Sequence, residues 1–258
     1  MIFENIICER FEDKSLINIT INRPPLNIIN TRTIKEIAEA ISEVKEGDTF
    51  KVITVRGKGD KAFSVGIDIK EHLPEKIHET MGALWDLHMV IKNLDQVTIA
   101  ITRGYVLGGG WEVANMCDMI IASENSLFGH PEIKLAAFPP LAIPSYPRII
   151  GHRKTLEILL TGDFIRARKA ESMGLINLVV RDRDLEEASE RLIRKITDIS
   201  LVAIKYTKKA LSIGANGESE EAAHTAWKIY LEELAHTKDN VEGMKAFLEK
   251  RRPEWKNE

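Results

Sequence analysis

The sequence predicts one α/β core followed by a helical C-terminal portion, and three observations carry that reading. Up to about residue 151 the chain alternates short apolar runs with glycine and proline turns, the signature of strands and tight connections. Beyond Gly151 apolar residues recur mostly at helical spacing. No low-complexity stretch, fixed-period repeat or long linker separates the two halves, so strands and helices belong to one folding unit.

Taken in order, Ile6 to Arg10 and Leu16 to Asn22 cluster or alternate apolar residues around Asp13-Lys14, which predicts a hairpin stopped by Arg23-Pro24-Pro25. Asn30 or Thr31 then caps a helix in which Ile34, Ile37, Ala38, Ile41 and Val44 share a face until Gly47. Val52 to Val55 reads as a buried strand, and Ala62 to Glu71 as an apolar strand turned sharply at Gly66. A helical pattern covers residues 75 to 93. The run Val97 to Thr102 predicts another buried strand, Trp111 to Met116 the start of a helix, and Met119 to Ala122 a further strand. Pro139, Pro140, Pro144 and Pro147 interrupt any helix between 138 and 148. Helices are expected over 152–160, 167–173, 184–198, 200–213, 218–236 and 239–250, with a strand from Ile176 to Val180.

Composition narrows the function classes. The 258 residues suffice for a sizeable core, with 44% hydrophobic residues. A net charge of −3 gives no reason to bind nucleic acid or an anionic membrane. Two cysteines, Cys8 and Cys117, make no disulfide framework, and a reducing compartment is expected. No apolar run reaches spanning length and the N-terminal residues lack a secretory pattern, so the expectation is a soluble, cytoplasmic protein without membrane partners.

The richest stretch runs from Gly104 to Glu112 and on through Phe128-Gly-His-Pro-Glu132. Gly108, Gly109 and Gly110 sit between a strand and a helix start, where a ligand can approach the backbone and free N–H groups favour negative charge. Glu112 and Glu132 flank this turn as a possible acid/base pair. Singly, each residue has a plainer explanation. A glutamate in a first helical turn is stabilised by the helix dipole, Glu132 is a loop acid after a proline, and Trp111 fits a core. Lys61, Lys70 and Lys250 read as solvated charges. The dinucleotide and phosphate-loop spacings are absent, His78-Glu79 lacks a second histidine at Gly82, and no serine elbow surrounds Ser64 or Ser145. No metal is expected.

What joins these pieces is their order. Asn22-Arg-Pro24, Lys61-Ala-Phe-Ser-Val-Gly-Ile-Asp-Ile-Lys-Glu71, Gly104-Tyr-Val-Leu-Gly-Gly-Gly-Trp-Glu-Val-Ala114, Cys117-Asp118, Phe128-Gly-His-Pro-Glu-Ile133, Leu160-Thr-Gly162, Ala170-Glu-Ser-Met-Gly-Leu175 and Gly243-Met-Lys-Ala-Phe-Leu-Glu-Lys250 together resemble the enoyl-CoA hydratase (crotonase) superfamily over essentially the whole chain. That resemblance implies a ββα superhelix core at residues 1–195 and a C-terminal helical trimerisation region at 196–258, giving trimers or hexamers. It implies an oxyanion hole from the Ile67 and Gly109 amides, catalysis by Glu112 and Glu132, and coenzyme A contacts from Lys61, Lys70, Phe247 and Lys250. Coenzyme A is then part of the substrate, and no separate cofactor is needed.

One segment departs from the ordinary hydratases. After Glu132 the family's glycine-rich loop is replaced by Ala136-Ala-Phe-Pro-Pro-Leu-Ala-Ile-Pro-Ser-Tyr-Pro-Arg148. With Arg23-Pro-Pro-Leu-Asn-Ile-Ile-Asn30 and Lys70-Glu-His-Leu-Pro74, this resembles the cyclohexadiene-carbonyl-CoA hydratases of anaerobic benzoate degradation. The implied reaction is hydration of a cyclic dienoyl-CoA, with Trp111, Phe138, Pro139, Pro140 and Leu141 around the acyl group. Alternatives are a straight-chain enoyl-CoA hydratase of fatty-acid β-oxidation, a crotonase-fold isomerase or hydrolase, and a non-catalytic relative that binds RNA. Retention of both glutamates favours water addition, and together with the slightly acidic charge it argues against RNA binding.

Overall fold

A computed structural model describes residues 2–44, 49–214 and 220–258. The chain opens with the expected hairpin: β1 (Ile6–Phe11) pairs antiparallel with β2 (Leu16–Ile21). Helix α1 (Thr31–Ser42) is capped by Asn30, whose side chain accepts from the Thr33 amide at 2.8 Å, satisfying one of the first-turn N–H groups. It ends at Ser42, short of the expected limit at Gly47, which itself lies outside the described residues.

Three similar circuits follow. In the first, β3 (Val52–Gly57) and β4 (Ala62–Ser64) lead to α2 (Ile77–Lys92). In the second, β5 (Val97–Thr102) and β6 (Tyr105–Leu107) lead to α3 (Gly109–Met116). In the third, β7 (Met119–Ser123) and β8 (Leu127–Gly129) lead through a 3-10 turn at Pro131–Leu135 to α4 (Tyr146–Thr161). The first strand of each circuit joins one sheet and the second joins another. Next come β9 (Ile165–Arg166), α5 (Ala167–Ser172) and β10 (Leu178–Val180). The larger sheet therefore has the order β1-β2-β3-β5-β7-β10, parallel from β2 onward, and the smaller has β4-β6-β8-β9. This is the crotonase-type strand–strand–helix spiral. The central strands β3, β5 and β7 read as continuous apolar runs because both faces of the larger sheet are covered.

The short strands β6, β8 and β9 have no expectation in the sequence reading. Each is only two or three residues long, too short to express an alternating pattern. Helix α4 begins at Tyr146, six residues before the expected start, with Pro147 in its first turn where a missing N–H costs nothing. It breaks at Gly151, whose φ is 76°.

The C-terminal portion comprises α6 (Leu185–Thr197), α7 (Leu201–Gly214), α8 (Glu220–Lys228) and α9 (Lys238–Leu248). The helix expected over 218–236 is divided: residues 218–219 lie outside the described residues, and after Lys228 the chain forms a π turn and then a 3-10 turn up to His236. Polar side chains fasten these helices to the core. Lys51 donates to the carbonyls of Thr197 and Ile199 at 2.9 and 2.7 Å, occupying acceptors left open where α6 ends. Lys208 donates to the Gln96 carbonyl and to Asp118, and buried Asp239 accepts from Ser200 and from the amides of Lys256 and Asn257.

Candidate active site

The smaller sheet collects the site. Strands β4, β6 and β8 lie side by side and parallel, so their C-terminal ends fall at one edge of the fold. Just past β4 is Gly66-Ile67-Asp68; past β6 is the glycine turn into α3; past β8 is His130-Pro131-Glu132. Residues far apart in sequence converge because each is one circuit of the spiral further on.

The two turns after β4 and β6 are in close contact. A Cβ placed on Gly109 would lie 3.5 Å from the Ile67 amide nitrogen, and one on Gly66 would lie 3.5 Å from the Gly109 nitrogen. Ile67 is bridged to Ile29 through the Gly66 carbonyl and the Asp68 amide, which leaves the Ile67 N–H on the opposite side. Gly109 opens α3, where the first N–H groups have no intrahelical acceptor. Neither amide has a hydrogen-bond partner among the described residues. Gly108 holds φ at 52°, a left-handed conformation that a side chain would strain, and its bare Cα lets the Glu132 carboxylate come close. Two adjacent amides of this kind stabilise charge building on an oxygen without having to reorganise.

Glu112 lies in the first turn of α3 and is 3% exposed. Its Oε1 accepts the Leu141 amide at 2.8 Å. Burial raises its pKa to about 7; the Glu132 charge adds to the rise, and the amides of Leu141 and Ala142 oppose it. Glu132 is more open. Its Oε1 faces His130 Nδ1 at 3.4 Å, while its Oε2 is buried with no hydrogen-bond partner. A carboxyl poised to hold or release a proton near neutrality, beside a second carboxylate with a free oxygen, is suited to general acid–base chemistry.

Behind the glutamates sits a buried polar and aromatic cluster that the sequence reading missed. His130 is fully buried, stacks on Trp111 at 4.5 Å between ring centroids, and meets the Tyr146 hydroxyl through Nε2 at 2.8 Å. Asn115 donates to the same hydroxyl at 2.6 Å. The only sequence signal was the placing of His130 two residues before Glu132; nothing local tied it to Tyr146 on the far side of the proline-rich segment.

The residues expected around the acyl group divide. Phe138 is 64% exposed, Pro139 is buried, Pro140 is exposed and Leu141 is half-buried, all within the segment whose Leu141 and Ala142 amides hold Glu112. Trp111 requires a correction. It has no exposed surface and packs among Phe128, His130 and Tyr146, so it backs the site as a core residue and does not line it. Lys61 and Lys70 are exposed on either side of the Ile67 turn. Phe247, 82% exposed, and Lys250 belong to α9 and the turn after it. No group of three or more metal-binding side chains occurs among the described residues.

The Enoyl-CoA hydratase/isomerase family profile matches residues 12–258. The chain is 36% identical over 246 residues to the Dictyostelium discoideum protein named "Probable enoyl-CoA hydratase, mitochondrial", covering 93% of this chain and 87% of that one. It is 33% identical to the crotonyl-CoA hydratase of Syntrophomonas wolfei, covering 98% of both. The crystal structure of an enoyl-CoA hydratase from Bacillus anthracis superposes with a TM-score of 0.92 at 30% identity, over 99% of this chain and all of that one. With the spiral fold, the paired amides and both glutamates in place, the chain belongs to the enoyl-CoA hydratase/isomerase family.

Proposed function

We propose that the protein adds water across the double bond of an α,β-unsaturated acyl-CoA, and that the acyl group is a cyclic diene. The Ile67 and Gly109 amides hold the thioester oxygen, and electron density moves onto that oxygen as the enolate forms. One of Glu112 and Glu132 withdraws a proton from water as it attacks Cβ, and the other delivers a proton to Cα, so the pair exchanges protonation states once per turnover. The observation that carries this reading is the position of both carboxyls beside the paired amides, with Glu112 buried and held near pH 7. Replacing either with glutamine removes one acid/base group and is expected to lower turnover about 10²–10⁴-fold. Near-normal hydration by both variants would overturn it.

The cyclic substrate is supported by the proline-rich segment after Glu132. Pro139 and Pro140 fix backbone angles where a glycine-rich loop would adapt, and a stiff wall accepts a compact ring at less conformational cost than a flexible chain. A straight-chain substrate is favoured by one observation, the names of the S. wolfei crotonyl-CoA hydratase and the Clostridium acetobutylicum short-chain-enoyl-CoA hydratase, which is 32% identical. Comparing kcat/KM for crotonyl-CoA and cyclohexa-1,5-diene-carbonyl-CoA decides between them. Preference for crotonyl-CoA, with the diene ignored, rejects the cyclic reading.

Lys61, Lys70, Phe247 and Lys250 are assigned to coenzyme A, the lysines as partners for its phosphates. The assignment goes with self-assembly, in which residues 196–258 pack against another copy as a trimer or hexamer.

A further inference from the structure

The cluster behind the glutamates has a direction. Asn115 Nδ2 can only donate, so the Tyr146 oxygen accepts from it at 2.6 Å. The single phenolic proton then goes to the other neighbour, His130 Nε2, at 2.8 Å. Burial raises the Tyr146 pKa well above its ordinary value, so the hydroxyl keeps that proton and remains a donor. With Nε2 accepting, the proton of a neutral imidazole sits on Nδ1, which faces Glu132 Oε1 at 3.4 Å. Each hydrogen bond sets the next, from Asn115 to Tyr146 to His130 to Glu132. Stacking on Trp111, at 11° between ring planes, restrains the imidazole from turning away.

The chain also connects the two carboxyls through one piece of backbone. The Leu141 amide holds Glu112, and Tyr146, five residues on, holds His130. Ala142 is fully buried between them. Glu132 Oε1 is thus engaged from behind, and its unpartnered Oε2 is the oxygen left for reaction.

We propose that His130 and Tyr146 are positioning residues for Glu132: they fix the imidazole as the Nδ1–H tautomer and thereby hold the carboxylate with Oε2 presented to the reacting atoms. The inference rests on the acid–base role of Glu132 proposed above. Neither residue touches substrate, so their removal acts on the chemical step and leaves binding of the acyl-CoA largely intact.

The test uses the full-length enzyme and whichever acyl-CoA the wild type hydrates best. Tyr146→Phe removes the hydroxyl and keeps the ring; kcat is expected to fall about five- to tenfold, the worth of one neutral hydrogen bond, with KM changed less than about twofold. His130→Leu is expected to fall at least as far, and His130→Asn, whose amide nitrogen reaches the place of Nδ1, to recover most of the loss. A structural role alone would not produce that ordering. Wild-type kcat in Tyr146→Phe, or equal losses in His130→Asn and His130→Leu, overturns the proposal; if the leucine variant does not fold, Tyr146→Phe decides. The ¹⁵N shifts of the His130 ring give a reading that needs no turnover: the Nδ1–H tautomer in wild type, lost in Tyr146→Phe, is expected, and an Nε2–H tautomer in wild type overturns the proposal. Should the wild type hydrate no acyl-CoA, the reaction assigned above fails while the ring shifts still judge the hydrogen-bond chain.

Discussion

Glu112 illustrates how one side chain couples stability to chemistry. Its carboxyl is pushed up from 4.5 to about 7 mainly because burial penalises the charge. For an acid whose folded pKa is raised, the contribution to stability is complete below the unfolded pKa and is lost as pH rises through the folded one. Between pH 5 and pH 8 the wild type therefore loses up to about 3 kcal/mol at this residue. Glu112→Gln, which cannot ionise, is expected to show a correspondingly smaller loss across that window in urea unfolding. An unchanged difference between the two pH values would mean that Glu112 is already ionised at pH 5. The same titration is expected in kcat/KM of the wild type as a step near pH 7, reporting the free enzyme.

At the scale of elements, the contact between α3 and β4 sets the spacing of the paired amides. Gly110 lies against Ser64: a Cβ there would come within 2.6 Å of the Ser64 carbonyl oxygen and 2.7 Å of its Cβ. That neighbour is backbone within the smaller sheet, so it cannot swing aside. Gly110→Ala is expected to lift α3 from β4 at a cost of about 1–3 kcal/mol, measurable by thermal or denaturant unfolding. It should also lower kcat at temperatures where the variant is fully folded, because the Gly109 amide moves away from that of Ile67. Full activity in a folded Gly110→Ala protein would show that the spacing tolerates the shift. The 139–146 segment is the second decisive element. Its prolines mark it as stiff in the sequence, yet the Leu141 amide on Glu112 and the Tyr146 hydroxyl on His130 emerge only once the segment is folded over the site.

Over the whole molecule, the C-terminal helices carry apolar surface that water should not keep. Trp227, Met244, Phe247 and Leu248 are between 55% and 82% exposed, on α8 and α9. Large apolar side chains left in water on these two helices are the surface on which the proposed self-assembly would act. The expected outcome of sedimentation velocity is a trimer or hexamer, with Met244→Asp combined with Leu248→Asp shifting mass toward the monomer. A wild type that sediments as a monomer at micromolar concentration would reject self-assembly through this face.

By itself the sequence determined the order of the long elements, the glycine turns, and the placing of two glutamates around one of them, because apolar periodicity, turn chemistry and motif spacing are local properties. The helix start at Asn30 or Thr31, the buried strands β3, β5 and β7, and most of the C-terminal helices follow from the same rules. Only the tertiary structure decided which distant residues meet. Strands β6 and β8 are too short to read as strands, yet the pairing of β6 with β4 places Gly109 beside Ile67, and its pairing with β8 places Glu132 beside Gly108. Trp111 became a core residue and His130 the neighbour of Tyr146 for one reason. Both depend on contacts across circuits of the spiral, and such contacts leave no periodic trace in the chain.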